Sequence, residues 1–221
     1  MSLAIQSFYL GNTKAMVTEN VPTAVALLGL NYDTENSVIY KGSDNTSGFY
    51  LFLDSSYLRI GFKYHGVETT TSSSLKYSTQ YSSGVYLYYY KQEDGTVIFG
   101  FSSSLNIYAA CAKVIKLENE TTNDWAYIIN SSSNIIMCPS LWSDFIYGLT
   151  KDYNRSFNVV TLIPYIFEVE NVGNFKFEKL FSVFTKNSSS ATQTLILNNK
   201  KYIISSPNTN NNIIPFAILV E

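Results

Sequence analysis

Residues 85–101 read VYLYYYKQEDGTVIFGF, and this stretch decides the fold class. Two runs rich in aromatic and β-branched residues flank an Asp-Gly pair at 94–95. Asp and Gly tolerate the positive φ angles of a tight turn, so strand, turn and strand form the strongest hairpin signal in the chain. Successive side chains of a strand point to opposite sides, which places Tyr86, Tyr88 and Tyr90 on one face.

The same period-two alternation recurs along the chain, as in residues 57–65. A second hairpin is predicted at 194–204, because its Asn198-Asn199 pair suits the left-handed conformation. Lys179 interrupts an apolar face, so the strand at 175–183 is expected to bulge or to lie at an edge. Further strands are predicted at 3–9, 36–41, 48–54, 105–117, 124–130, 157–170 and 213–220. Ser, Thr and Asn blocks predict loops at 69–74, 102–104, 131–134, 188–190 and 208–212.

Two segments have helix signals. Residues 20–30 could begin with Asn20 as the cap and Pro22 in the first turn, or could equally form a buried strand. Residues 138–149 have Ser140 as a cap candidate. The sequence therefore predicts an all-β fold, an antiparallel sandwich or barrel with at most two short helices. We expect a single β-rich domain over 1–221, with 150–156 as the place where a subdivision would fall.

The charge content limits the classes of partner. Charged residues make up 14% of the chain and the formal net charge is −2, whereas average proteins carry about a quarter charged residues. No cluster of Lys and Arg occurs, which argues against nucleic-acid binding. Residues 1–7 lack a basic region followed by an apolar one, so no signal peptide is predicted. No apolar stretch is long enough to predict membrane insertion.

Catalytic signals are weak. The chain has a single histidine, His65, which rules out a site with two histidine ligands and is expected to be an exposed residue at a strand end. Glu168 and Glu170 share a strand face, as any i, i+2 pair does, and are read as a solvated strand end. Cys111 and Cys138 lie in apolar runs typical of buried thiols, and the sequence leaves open whether they are bonded. We predict no catalytic residue, no metal and no cofactor.

Aromatic residues are the one excess, with 18 Tyr, 14 Phe and 2 Trp. Most are expected to pack in the core, since Tyr and Phe suit half-buried strands. The functional interpretation is an interface or ligand-binding face, with Tyr86, Tyr88 and Tyr90 as its candidate residues.

The C-terminal third resembles virion proteins of bacteriophages that infect low-GC Gram-positive bacteria, and their phage-tail-like relatives. The resemblance runs through LIPYIFE at 162–168, the Phe-rich segment 175–184, the hairpin at 197–204 and IPFAI at 214–218. Asn199 stands where these proteins usually have Gly. The resemblance implies a tail, baseplate or capsid-associated role and a location in the virion, and it transfers no functional residues.

Three hypotheses follow for the function. The first is a non-catalytic structural subunit of such a particle, contacting copies of itself and other particle proteins. The alternative is a carbohydrate- or receptor-binding β-sandwich module that recognises a cell-surface glycan, and the third is a carboxylate-dependent glycoside hydrolase. The low charge and unprotected strand edges favour a symmetric homo-oligomer, with contacts of at least about 1,000 Å².

Overall fold

The computed structural model describes residues 5–55, 57–76, 84–119, 124–130, 135–138, 161–169, 173–184, 193–204 and 216–220. The fold is all-β with antiparallel strand pairs, and the described residues contain one helix, which confirms the predicted fold class. The contacts divide the chain into two compact units, Met1–Ala110 and Cys111–Glu221. Residues 150–156, named as the place where a subdivision of the single expected domain would fall, lie outside the described residues.

The first unit is built from a five-stranded sheet, a helix and a second set of strands. The five-stranded sheet has the order β2-β3-β4-β5-β6, and β1, β7 and β8 are neighbours in that order. The elements are β1 (Gln6–Gly11), α1 (Lys14–Leu28), β2 (Asn31–Asp33), β3 (Val38–Tyr40), β4 (Gly48–Leu53), β5 (Tyr57–Tyr64), β6 (Val67–Lys76), β7 (Val85–Lys91), β8 (Val97–Ser102) and the start of β9 (Ala109–Lys116).

The β7–β8 hairpin forms where the sequence predicts it. Gly95 takes a φ of 89°, and its N–H donates to the Gln92 carbonyl at 3.0 Å. Asp94 acts through its side chain, which accepts from the Thr96 N–H at 2.8 Å. The Gln92 N–H donates to the Thr96 carbonyl at 2.8 Å and closes the loop. The glycine alone therefore supplies the positive φ, and the aspartate stabilises the turn by a hydrogen bond.

The core of the first unit is aromatic. Phe49 of β4 stacks against Phe62 of β5 at 5.6 Å and meets Phe99 of β8 edge-on at 5.1 Å. Phe99 in turn contacts Phe101 at 5.7 Å. All four rings are fully buried. They join the five-stranded sheet to the β7–β8 hairpin, which gives this unit its sandwich arrangement.

A helix is present where one was considered at 20–30, but it begins earlier than predicted. Helix α1 begins after Thr13, whose Oγ1 accepts from the Met16 N–H at 3.3 Å, and it ends at Gly29 with a φ of 70°. Asn20 therefore does not cap a helix; its Nδ2 donates to the Leu10 carbonyl at 2.9 Å. Pro22 lies in the helix interior instead of the first turn. The helix packs a buried stripe at helical spacing, made of Val17, Val21, Ala24, Val25 and Leu28.

One predicted loop is a strand. Residues 69–74 lie within β6, which pairs with β5 from Tyr64↔Val67 to Tyr57↔Lys76. A run of Ser and Thr favours turns locally, but pairing with β5 satisfies its backbone groups and decides the structure. Strand β2 and strand β11 of the second unit were not predicted, and both are short.

The described residues of the second unit contain most of β9 and seven further strands. Strands β9, β13, β16, β15 and β14 are neighbours in that order; β12 pairs with β13, and β10 pairs with β9 and β11. Their bounds are β10 (Asp124–Asn130), β11 (Ile135–Cys138), β12 (Thr161–Val169), β13 (Gly173–Phe184), β14 (Gln193–Leu197), β15 (Lys200–Ile204) and β16 (Phe216–Val220).

Strand β13 bulges, as Lys179 predicts, but it is not an edge strand. Its pairing with β12 shifts from Pro164↔Phe181 to Ile166↔Lys176, which leaves extra residues on β13 around Lys179. On its other side β13 pairs first with β9 and then with β16. The bulge thus lies where β13 changes neighbours.

The second predicted hairpin is confirmed as β14 and β15. Asn198 and Asn199 take φ angles of 50° and 60°, the left-handed values expected for a two-residue turn. Tyr202 and Ile204 of β15 pack with Ala217 of β16 in a buried cluster. Of the helix predicted at 138–149, Cys138 ends β11 and the remaining residues lie outside the described part.

Replacing Phe49 by Ala is expected to lower the free energy of unfolding by about 3–5 kcal/mol, because it removes a buried ring shared by both sheets of the first unit. Phe52, three residues on, is half-buried on the opposite face of β4. Phe52→Ala should cost only about 1 kcal/mol, mainly a lost contact with Arg59. Chemical denaturation measures both, and equal losses would contradict the assigned register.

Asp33 stabilises the β2–β3 loop through its carboxylate. Its Oδ1 accepts from the N–H groups of Glu35 and Asn36, and its Oδ2 accepts from the side-chain amides of Asn36 and Asn45. The Asn36 side-chain amide and then its N–H lower the pKa of Asp33 below its ordinary value. The stabilisation is therefore present above the ordinary pKa and is lost as the pH falls through the lowered one.

Asp33→Asn should accordingly destabilise the protein most at neutral pH, and the difference from the wild type should shrink as the solution is acidified toward the lowered pKa. Unfolding curves recorded across this pH range test the idea. Glu35→Gln removes a charge from the same loop and serves as the control for general charge effects. A difference for Asp33→Asn that does not depend on pH would refute the assigned role.

Candidate functional site

The predicted tyrosines lie where the strand register places them. Along β7, Val85, Leu87 and Tyr89 are buried, whereas the alternate residues are partly exposed. Those alternate residues are Tyr86, Tyr88 and Tyr90. The inward residues pack toward the aromatic core, so the outward side of the strand is left with three tyrosine side chains.

A fourth tyrosine joins this side from β1. Strand β1 pairs antiparallel with β7, and Tyr9 lies opposite Tyr86. The Tyr9 and Tyr86 rings are 4.9 Å apart, and the Tyr86 and Tyr88 rings are 5.8 Å apart and close to parallel. Tyr9 is 39% exposed. We call Tyr9, Tyr86 and Tyr88 the tyrosine face; Tyr90 continues it in register.

Small residues border the tyrosine face. Gly84 is buried under Tyr9, since a Cβ at Gly84 would lie 2.6 Å from the Tyr9 ring. Ser7 lies opposite Tyr88 on β1, and Gly100 lies opposite Tyr88 on β8. The small size of these residues lets the tyrosine rings lie close to the strands and pack against one another.

The loop between β8 and β9 lies on the β8 side of the tyrosine face. A Cβ at Gly100 would collide with the Asn106 carbonyl, so this loop lies directly on β8. Tyr108 holds the loop in place: its hydroxyl donates to the Phe101 carbonyl at 3.0 Å and accepts from the Phe101 N–H at 3.1 Å. The Tyr108 N–H donates to the Phe99 carbonyl.

A second aromatic row lies on the outer side of the five-stranded sheet. Tyr50 and Phe52 of β4 stack at 6.2 Å, the Arg59 guanidinium lies 4.4 Å from the Phe52 ring centre, and Lys63 Nζ lies 4.7 Å from that of Tyr50. Burial, followed by a hydrogen bond to Glu68 and its charge, raises the pKa of Tyr50.

The cationic side chains of this second row contact its rings and also bind nearby oxygen atoms. Arg59 lies 3.9 Å from the Asp54 carboxylate, and Lys63 Nζ donates to the Asn36 carbonyl at 2.7 Å. The ring faces are occupied by cations and by one another. The tyrosine face is therefore the better candidate for contact with another molecule.

The single histidine lies in a turn. His65 has a φ of 49° between β5 and β6, its N–H donates to Ser47 Oγ at 3.0 Å, and its exposed ring packs on Tyr64 at 4.2 Å. The expected exposed position at a strand end is confirmed. Among the described residues, no three His, Cys, Asp or Glu side chains are placed to hold a metal ion.

The carboxylate pair of the hydrolase hypothesis falls largely outside the described part. Glu168 lies on β12, opposite Asn174, and Glu170 is not described. Cys111 is buried on β9, whereas the side chain of Cys138 is not described. No helix in the described part of the chain has the length and hydropathy to cross a membrane.

Of the four tyrosines on this side of the sheet, Tyr86, Tyr88 and Tyr90 were predicted from the sequence and Tyr9 was not. Its own strand was predicted at 3–9, but the pairing of β1 with β7 joins residues about eighty positions apart in sequence. Alternation within one strand cannot reveal which distant strand lies beside it. No family model, curated protein or solved structure matches this chain.

Tyr108→Phe is expected to lower the free energy of unfolding by about 1–3 kcal/mol, because both backbone groups of Phe101 lose their partner in a partly buried place. Tyr9→Phe removes the same hydroxyl from an exposed ring and should change stability by less than about 0.5 kcal/mol. Thermal and chemical denaturation compare the two variants. A Tyr108→Phe variant as stable as Tyr9→Phe would show that the loop is held otherwise.

Proposed function

We propose that the chain is a non-catalytic structural subunit of a phage or phage-tail-like particle. It assembles through β-rich, aromatic-rich contacts with copies of itself and with other particle proteins. The observation that carries this proposal is the tyrosine face, a row of adjoining, partly exposed rings on the outward side of β1 and β7. The resemblance of the C-terminal third to virion proteins supplies the kind of particle.

Tyrosine suits such a contact for a physical reason. It brings a large, rigid and partly apolar area to an interface, and it loses little side-chain entropy on binding. The chain carries only 14% charged residues, so few ionic groups must be desolvated when its surfaces meet. The same features fit a subunit whose surface is covered by neighbours.

Mass spectrometry of particles purified from the host of origin tests the proposal directly. We expect the chain among the stoichiometric particle proteins. Purified particles that lack it would overturn the assignment to a virion.

A second experiment tests the tyrosine face itself. The double variant Tyr9→Ser/Tyr86→Ser should fold but enter particles poorly, because the interface loses its two adjoining rings. Tyr57→Ser is the matched control, since Tyr57 is also 39% exposed but lies at the start of β5. Incorporation of both variants at the wild-type level would exclude the face as an assembly contact.

The same rings could stack on sugars, which is the carbohydrate- or receptor-binding alternative. A glycan array probed with the isolated protein separates the two. Glycan binding that the double variant abolishes and Tyr57→Ser retains would favour the binding module.

A further inference from the structure

Among the described strands, β1 lies at the end of its sheet, beside the tyrosine face, and pairs only with β7. Its sequence, QSFYLG, contains neither a charged residue nor a proline, which are the usual protection of an edge strand. Gln6, Ser7 and Tyr9 are exposed, and Phe8 is half-buried.

The β7–β8 hairpin determines which backbone groups of β7 point toward β1. The Gln92–Thr96 hydrogen bond closes the hairpin, so pairs at two-residue steps from it, such as Tyr88 and Gly100, are hydrogen-bonded to each other. The backbone N–H and C=O groups of the alternate residues of β8 point away from β7. This agrees with the Phe99 carbonyl, which accepts from the Tyr108 N–H.

The alternate residues of β7, Leu87 and Tyr89, therefore direct their backbone groups to β1. Their partners there are Phe8 and Gln6. Because the pattern alternates, the N–H and C=O groups of Ser7 and Tyr9 point to the outer edge. Beyond Tyr9 the pairing with β7 shifts register, and the Leu10 carbonyl accepts from Asn20 Nδ2 of the helix, so the regular edge ends at Tyr9.

We propose that a second copy of the chain pairs with β1 through this short edge, antiparallel and with the two-fold axis at Phe8. Ser7 then lies opposite Tyr9 of the second copy, and Tyr9 opposite its Ser7. Both pairs have backbone groups facing the edge, so each exchanges two hydrogen bonds. The edge is complementary to itself in this register, as a two-fold contact requires.

The side chains fit the same register. Antiparallel pairing keeps Ser7 and Tyr9 on the outward side, so the two tyrosine faces join across the axis and the small Ser7 leaves room for the opposing Tyr9 ring. On the inner side the half-buried Phe8 meets Phe8 of the other copy and becomes buried. This inference rests on the proposed function, because it identifies a second copy of the chain as a partner in the contacts made by the tyrosine face.

Cysteine cross-linking tests the register. At the axis the two Phe8 positions form a non-hydrogen-bonded pair with Cα atoms about 4.5 Å apart, within the range of a disulfide. Phe8→Cys should therefore give a covalent dimer under mild oxidation of the purified chain at high concentration. Gln6→Cys lies on the same face, but the two copies of that position are about 13 Å apart along the strand and should not cross-link.

The wild-type chain has two cysteines of its own, so its yield of cross-linked dimer is the background for both variants. A Phe8→Cys dimer well above this background, with Gln6→Cys at background, supports the proposal. No dimer from Phe8→Cys, or equal yields from both variants, overturns it.

Ser7→Pro provides an independent test. It removes an N–H that faces the edge and leaves the β7 pairing intact, so it should abolish the dimer in sedimentation equilibrium while circular dichroism stays unchanged. Ser7→Ala keeps the N–H and should dimerise like the wild type. A Ser7→Pro chain that still dimerises refutes edge pairing.

The two proposals can fail separately. Cross-linking by Phe8→Cys in a chain that is missing from purified particles would remove the virion assignment and keep the edge contact. A chain that is present in purified particles but gives no cross-link would remove the edge contact and keep the virion assignment.

Discussion

The turn at Gly95 sets the register on which the first unit depends. Its left-handed φ of 89° and the Gln92–Thr96 hydrogen bond fix which residues of β7 and β8 face each other. A shift by one residue would move every side chain of β7 to the opposite face of the sheet. The three outward tyrosines would then replace Leu87 and its neighbours in the core, and three buried residues would be exposed.

That register also organises the core. With Phe99 and Phe101 directed inward, β8 presents two rings that the five-stranded sheet can meet with Phe49. Edge-on contacts let rings interlock at close distance, and each adds to the free energy gained from burying apolar area. On the outward side of β7, Tyr86 and Tyr88 are partly exposed and stack on each other. One alternation thus supplies both the aromatic core and the tyrosine face.

Elements with strong local signals were predicted well, and those that depend on distant pairing were not. The asparagine pair at 198–199 takes the left-handed conformation that its type favours, and Lys179 marks a bulge because a charged side chain disrupts an apolar face. By contrast, residues 69–74 look like a loop until β5 lies beside them. The helix start was misplaced because the apolar run used for the prediction begins only at Val21, whereas the first two turns, KAMVTEN at 14–20, mix apolar and polar residues.

The sequence by itself determined the fold class, the two hairpins and the outward placement of Tyr86, Tyr88 and Tyr90. These features depend on φ preferences and period-two alternation, which act between neighbours in the chain. Only the tertiary structure decided that β1 lies beside β7, that Tyr9 completes the tyrosine face, and that β13 is paired on both sides. Strand pairing joins residues far apart in sequence, and many registers satisfy the same local pattern. The choice among them is made by packing, as rings such as Phe49 and Phe99 fit together in one arrangement.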